Sequence, residues 1–82
     1  MFAVIWAPSA SGDFTAIAFL HLDRWTEIEG SGEAIEDQLQ RDPAGSGQHL
    51  SEGLWRIIVK PLAIFYTVDG NEVNISAVGW VD

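Results

Sequence analysis

The side chains able to hold an anion or move a proton are few. Arg56 and Lys60 are two of only four basic residues, Tyr66 is the single tyrosine, and His21 and His49 are the only histidines. The alternation from Leu54 to Lys60 puts Arg56 and Lys60 on one face of a strand, about 13 Å apart at a rise of ~3.3 Å per residue. That pair marks a candidate site on an open sheet face; the plain alternative is a solvated face that contributes only solubility. Tyr66, on the following strand, points to the opposite face by parity, where a core aromatic would place its hydroxyl against a partner at the edge. His21 lies on an apolar helical stripe, a setting for a half-buried packing residue, and His49 lies in a glycine-containing loop. Either imidazole could serve a serine as general base, but no motif fixes a serine beside it.

Twelve carboxylates oppose those four basic residues, giving a formal net charge of -8. Such a field repels phosphate and leaves few counterions to release, so tight nucleic-acid binding by the bare domain is not expected. Glu33, Glu36 and Asp37 cluster on a predicted helix, with Asp37 placed to pair with Arg41 one turn later, as a solvated outer face requires. Divalent metal binding needs carboxylates or histidines converging from separate elements, which spacing along one helix does not reveal; no metal and no cofactor is expected. The absence of cysteine excludes disulfides, thiolate zinc sites and a cysteine nucleophile, and leaves the cytoplasm as the default compartment. Met1 to Pro8 is apolar without a basic flank, and no apolar run approaches the roughly 20 residues of a membrane span, so neither a signal peptide nor an anchor is expected.

At 82 residues one hydrophobic core can form, because a domain this small buries only about 60% of the surface its unfolded chain exposes. A single domain over residues 1–82 is expected, and 48% apolar against 20% charged residues is the composition of a folding chain. Phe2 to Ala7 reads as a strand stopped by Pro8. Ser9 or Ser11 then caps a helix with Asp13 in its first turn, and Phe14, Ile17, Ala18, His21, Leu22 and Trp25 form its core stripe. Thr26 to Glu29 has capping-box spacing for a second helix, with Ile28, Ile35 and Leu39 on its stripe. Gly30-Ser31-Gly32 either delays that helix or lies inside it; the continuous reading is preferred, because Ser31 and Gly32 then let two helices approach closely as a hairpin. Asp42-Pro43 ends it. Pro43 to Gly53 reads as a loop, Leu54 to Lys60 and Ala63 to Asp69 as strands, and Gly70-Asn71 as a hairpin turn into a last alternating strand.

The segment Leu54-Trp-Arg-Ile-Ile-Val-Lys-Pro-Leu-Ala-Ile-Phe-Tyr-Thr-Val-Asp-Gly-Asn-Glu-Val-Asn-Ile-Ser-Ala-Val-Gly79 resembles the C-terminal meander of the RelE/ParE superfamily of toxins. The preceding strand, the helical hairpin, the Asp42-Pro43 stop and the loop before Arg56 fall where that family has them, so the likeness covers nearly the whole chain. It rests on the order of elements rather than on one motif. The resemblance implies an α+β fold: an N-terminal strand, a helical hairpin, then a three-stranded antiparallel meander. The family consists of small toxins held inactive by a cognate antitoxin, some cutting messenger RNA on the ribosome and others poisoning DNA gyrase. It carries functional roles onto Arg56, Lys60 and Tyr66.

RNA-cutting members have further basic residues where this chain has Ile58 and Ala63, and a basic tail with a terminal tyrosine where it has Val78-Gly79-Trp80-Val81-Asp82. Cleavage needs charge stabilisation of a phosphorane and placed proton transfer, and two cations in a net field of -8 supply little of either. The expected role is a toxin-like component that works by contact with an antitoxin or a target such as gyrase. The alternatives are a ribosome-dependent mRNA endonuclease, with the ribosome supplying the missing groups, and a non-toxic homodimer that keeps the fold. A sheet face bearing Leu54, Ile58, Phe65, Val78 and Trp80 is too apolar to leave in water, so a partner or a second copy is expected to cover it.

Overall fold

Pro8 decides where the helical hairpin begins. Its fixed φ suits the first helical position and its missing N–H would be unpaired there anyway, so α1 (Pro8–Leu20) starts at the proline itself, after β1 (Ala3–Trp6). Neither Ser9 nor Ser11 caps the helix; both lie inside it. His21 leaves the helical region at φ -134° and ψ 49°, and Leu22–Arg24 close a single 3-10 turn. The first helix therefore stops short of Trp25, which becomes the first residue of α2 (Trp25–Arg41). Two members of the predicted core stripe are thrown outward by this break: Leu22 is 65% exposed and Trp25 41%. The Thr26–Glu29 capping box does not form, because Thr26 is already helical.

α2 runs unbroken through Gly30-Ser31-Gly32, and Ile28, Ser31, Gly32, Ile35 and Leu39 make its buried stripe. Gly32 faces the Phe14 ring so closely that a Cβ would stand 3.3 Å from it. Ser31 Oγ donates to the Lys60 carbonyl at 2.7 Å, tying the hairpin to the sheet. On the outer side Asp37 pairs with Arg41 at 3.2 Å. Asp42 ends α2 and accepts the Gly45 N–H at 3.0 Å, heading the short helix α3 (Pro43–Ser46).

The computed structural model describes residues 1–81; Asp82, the last residue of the tail from Val78, lies outside the described residues. The sheet has five strands in the order β1-β5-β4-β3-β2, with β2 at Gln48–Ser51, β3 at Leu54–Val59, β4 at Leu62–Asp69 and β5 at Glu72–Trp80. The antiparallel meander β3-β4-β5 is present, but it is not the whole sheet. β1 adds to one edge, parallel to β5, and β2 to the other, antiparallel to β3. The glycine-rich stretch before β3 predicts only a loop, yet Gly53 at φ +75° turns the chain so that β2 pairs with β3. All of β2 is exposed, so it carries no hydrophobic period by which sequence could reveal it. His49 accordingly sits on a strand, opposite Trp55. The turn at Gly70-Asn71 forms as expected, with Gly70 at φ +59°. Among the described residues no helix is long and apolar enough to cross a membrane.

One sheet face packs on the helices, burying Ile57, Leu62, Ile64, Tyr66, Val73 and Ile75 against Ala10, Ile28, Ile35 and Leu39. A bulge alters which residues join them. Phe65 pairs with Ala77 but Tyr66 with Ile75, so Ser76 is an extra residue in β5. One inserted residue reverses the parity of everything after it. Strict alternation puts Val78 and Trp80 on the open face; the bulge sets them opposite Ile64 and Leu62 on the helix side. Val78 is 7% exposed, and the Trp80 ring stacks on His21 at 3.7 Å and 4°, with the Arg24 guanidinium 4.8 Å from its centroid. The polar groups freed by the bulge are met by α1: Ser9 Oγ donates to the Ser76 carbonyl at 3.1 Å, and Asp13 accepts the Val78 N–H at 3.2 Å.

Candidate functional site

Arg56 pairs with Phe65 across β3 and β4 and faces the open side of the sheet. Its Nη2 donates to Gln48 Oε1 at 2.8 Å, an arrangement supplied by β2. Its Nε is buried without a hydrogen-bond partner among the described residues. Lys60 is exposed in the turn joining β3 to β4, followed by the cis bond to Pro61. These two cations stay in reach of solvent on the β3 side.

Tyr66 is separated from them by the sheet. It pairs with Trp55, faces the helices and is fully buried. Its hydroxyl donates to the Pro43 carbonyl at 2.6 Å. Burial pushes its pKa from 10.0 up to about 12, and the nearby negative charge of Asp42 adds to the shift. At neutral pH the phenol is therefore protonated and its proton is committed to a backbone oxygen. Gly47 makes room for it, since a Cβ at that position would collide with the hydroxyl. Arg56, Lys60 and Tyr66 thus do not converge on one point. Both histidines are taken up in ring contacts, His21 with Trp80 and His49 with Trp55 at 5.0 Å.

The open face carries three of the five apolar residues expected there: Leu54 and Phe65, half-buried, and Ile58, 45% exposed. Val78 and Trp80 are absent from it for the reason given by the bulge. A larger apolar surface lies on the hairpin, where Phe19 is 71% exposed, Leu20 78% and Leu22 65%. Beside them a trough of about 440 Å³ is lined by Phe14, Thr15, Ala18, Phe19, Leu22 and Trp25. Phe14 stands edge-on between Trp6 at 5.8 Å and Trp25 at 6.3 Å, a favourable aromatic arrangement at the trough floor. Phe19 and Leu20 lie off the core stripe that the helical spacing marks, although the unbroken run Ala16-Ile17-Ala18-Phe19-Leu20 is itself a signal. Five consecutive apolar residues go round a helix, and a core on one side cannot bury them all.

No family model matches the sequence, and no curated protein matches it. Solved structures match it along nearly its full length. The chromosomal ParDE TA system from P. aeruginosa aligns with a TM-score of 0.82 at 19% identity, covering 100% of this chain and 98% of that one. The toxin-antitoxin complex RelBE2 from Mycobacterium tuberculosis gives 0.79 at 18% identity, with 96% of each chain covered. The YoeB dimer from Staphylococcus aureus gives 0.58 at 15% identity, covering 99% of this chain and 98% of that one. The chain has the RelE/ParE-like toxin fold. What it shares with these proteins at such identities is the fold.

Proposed function

We propose that this protein is a toxin-like component of a type II toxin-antitoxin pair and works by protein contact. The observation that carries this reading is the hairpin surface, where Phe19, Leu20 and Leu22 stand 71%, 78% and 65% exposed in a chain of 82 residues. Exposed apolar side chains gathered at one trough, as Phe19 and Leu22 are, mark an interaction site. The fold supports the class of partner, since the ParDE and RelBE2 neighbours are toxin-antitoxin systems. Chemistry at the β3 face has less support: Arg56 is engaged by Gln48, and Tyr66 faces the other way with its proton committed.

A second reading, ribosome-dependent cleavage of RNA, is favoured by one feature, the buried Arg56 Nε, which has no partner among the described residues. Growth arrest on induced expression separates the two. If contact is the mechanism, the Arg56→Ala/Lys60→Ala double variant arrests growth as the parent does. Loss of arrest in a variant that still folds would transfer the function to the cations of β3. No arrest by the parent chain would favour the third possibility, a non-toxic protein retaining the fold.

A further inference from the structure

The apolar trough on the hairpin does not end at Trp25. It continues into a second trough of about 360 Å³ that shares Phe14, Thr15 and Trp25 and is lined along α2 by Glu29, Glu33 and Glu36. These carboxylates recur at i, i+4 and i+7, so they form a line roughly 10 Å long at ~1.5 Å per residue. Among the described residues the helix ion pairs join Arg24 to Glu27 and Arg41 to Asp37; Glu29, Glu33 and Glu36 have no cation. An unfilled apolar floor beside an uncompensated acidic lip has a defined complement.

The geometry points to the α1–α2 trough as the seat of an amphipathic helical segment of another protein, apolar on one face and basic along one flank. This rests on the protein-contact reading and adds the chemistry of the contact. A helix suits a groove between two helices, because its apolar residues at i, i+3, i+4 and i+7 enter as a row. Lysines or arginines at the same helical repeat would then meet the three glutamates in register. A second copy of this chain is the poorer occupant, since it would bring a like acidic lip and a further net charge of -8 to the same place. An anionic bilayer, the other surface that takes Phe, Leu and Trp side chains, is repelled for the same reason.

The test uses the full chain and two labelled helical peptides of about 20 residues. They share one leucine face and differ only in the flank, which carries three lysines or three glutamates. By fluorescence anisotropy at low salt the lysine peptide binds at least about ten-fold more tightly, and the gap closes at high salt. Glu29→Gln/Glu33→Gln/Glu36→Gln weakens the lysine peptide about ten-fold, the sum of three exposed pairs, and leaves the glutamate peptide unweakened. Phe19→Ser/Leu22→Ser removes binding of both, with circular dichroism confirming that each variant folds. The assignment is overturned if the peptides bind equally or not at all. It is also overturned if sedimentation shows the chain pairing with itself through Phe19 and Leu22, or if the chain alone co-sediments with anionic vesicles. Growth arrest lost with Arg56→Ala/Lys60→Ala removes the contact reading whatever the peptides do. Arrest that persists while neither peptide binds removes only this seat.

Discussion

Two regions of this small domain use large side chains in opposite ways. Around Tyr66 every surface of the ring is occupied: Trp55 lies 6.4 Å away, the hydroxyl meets the Pro43 carbonyl, and Gly47 supplies the only size of residue that fits. Around Phe19 and Leu22 the chain lays an aromatic floor and leaves large apolar side chains exposed beside it. The first region holds the sheet, α3 and the end of α2 together; the second contributes nothing to the fold that water could not undo. Both sets of residues look alike as composition. What separates them is whether the chain itself provides the complement, and this predicts that stability and binding can be changed independently.

Within the sealed region around Tyr66 the largest effect on stability is expected at Gly47. Its Cβ would overlap the Tyr66 hydroxyl, so Gly47→Ala must displace either the ring or the backbone and give up the Pro43 bond. Overpacking and the lost bond together cost roughly 3 kcal/mol, read as a fall in the urea midpoint. The double variant Gly47→Ala/Tyr66→Phe has no hydroxyl to displace and should recover part of that loss. Additive costs in this cycle would break the claim that the two positions fit one another.

Tyr66→Phe alone comes next. It leaves the Pro43 carbonyl buried without its donor, at a cost of about 1–2 kcal/mol near neutral pH. The pH dependence has a definite sign. Tyr66 has a folded pKa of about 12 against an ordinary 10.0, so the unfolded chain ionises first. The stabilising contribution is complete below pH 10.0 and drains away as pH rises toward 12. The gap between the parent and Tyr66→Phe should therefore narrow across that window in denaturant titrations. A constant gap would mean that the phenol is not held protonated by its burial.

The sequence discloses the sealed region better than the open one, for a physical reason. Burial on a regular element leaves a period: Ile28, Ile35 and Leu39 announce the stripe of α2, and Ile57, Ile64 and Tyr66 the helix-facing side of the sheet. Ser31 and Gly32 do not bring two helix backbones together as expected: Gly32 leaves room for the Phe14 ring, and Ser31 donates to the Lys60 carbonyl in the turn joining β3 to β4. Three things leave no such trace. β2 is exposed on both faces, so its existence depends on pairing with β3 rather than on burial. The bulge at Ser76 is a local backbone choice, made tolerable by Ser9 and Asp13 more than sixty residues away, and it moves Val78 and Trp80 to the other face. The break at His21 is likewise set by tertiary contact, since its ring lies on Trp80. Of the candidate site, the faces of Arg56 and Tyr66 follow from parity within β3 and β4, where no bulge intervenes. The hairpin surface is visible only as a helix with more apolar residues than one core can use.

The smallest effect on stability is expected where the residues are largest and most exposed. Phe19 and Leu22 keep 71% and 65% of their surface in water, so replacing either by serine removes little buried area. Phe19→Ser and Leu22→Ser should each shift the unfolding free energy by less than about 0.5 kcal/mol, in the range of ordinary surface substitutions. A core residue of similar size behaves otherwise: Leu39→Ala, fully buried on α2, should cost about 2–5 kcal/mol. The comparison is most sharply tested at Leu22, because the 3-10 turn that carries it also places Arg24 over Trp80. A large loss of stability in Leu22→Ser would show that this side chain braces the turn. A negligible loss leaves Leu22 with no structural task, and its exposure is then explained by what binds there.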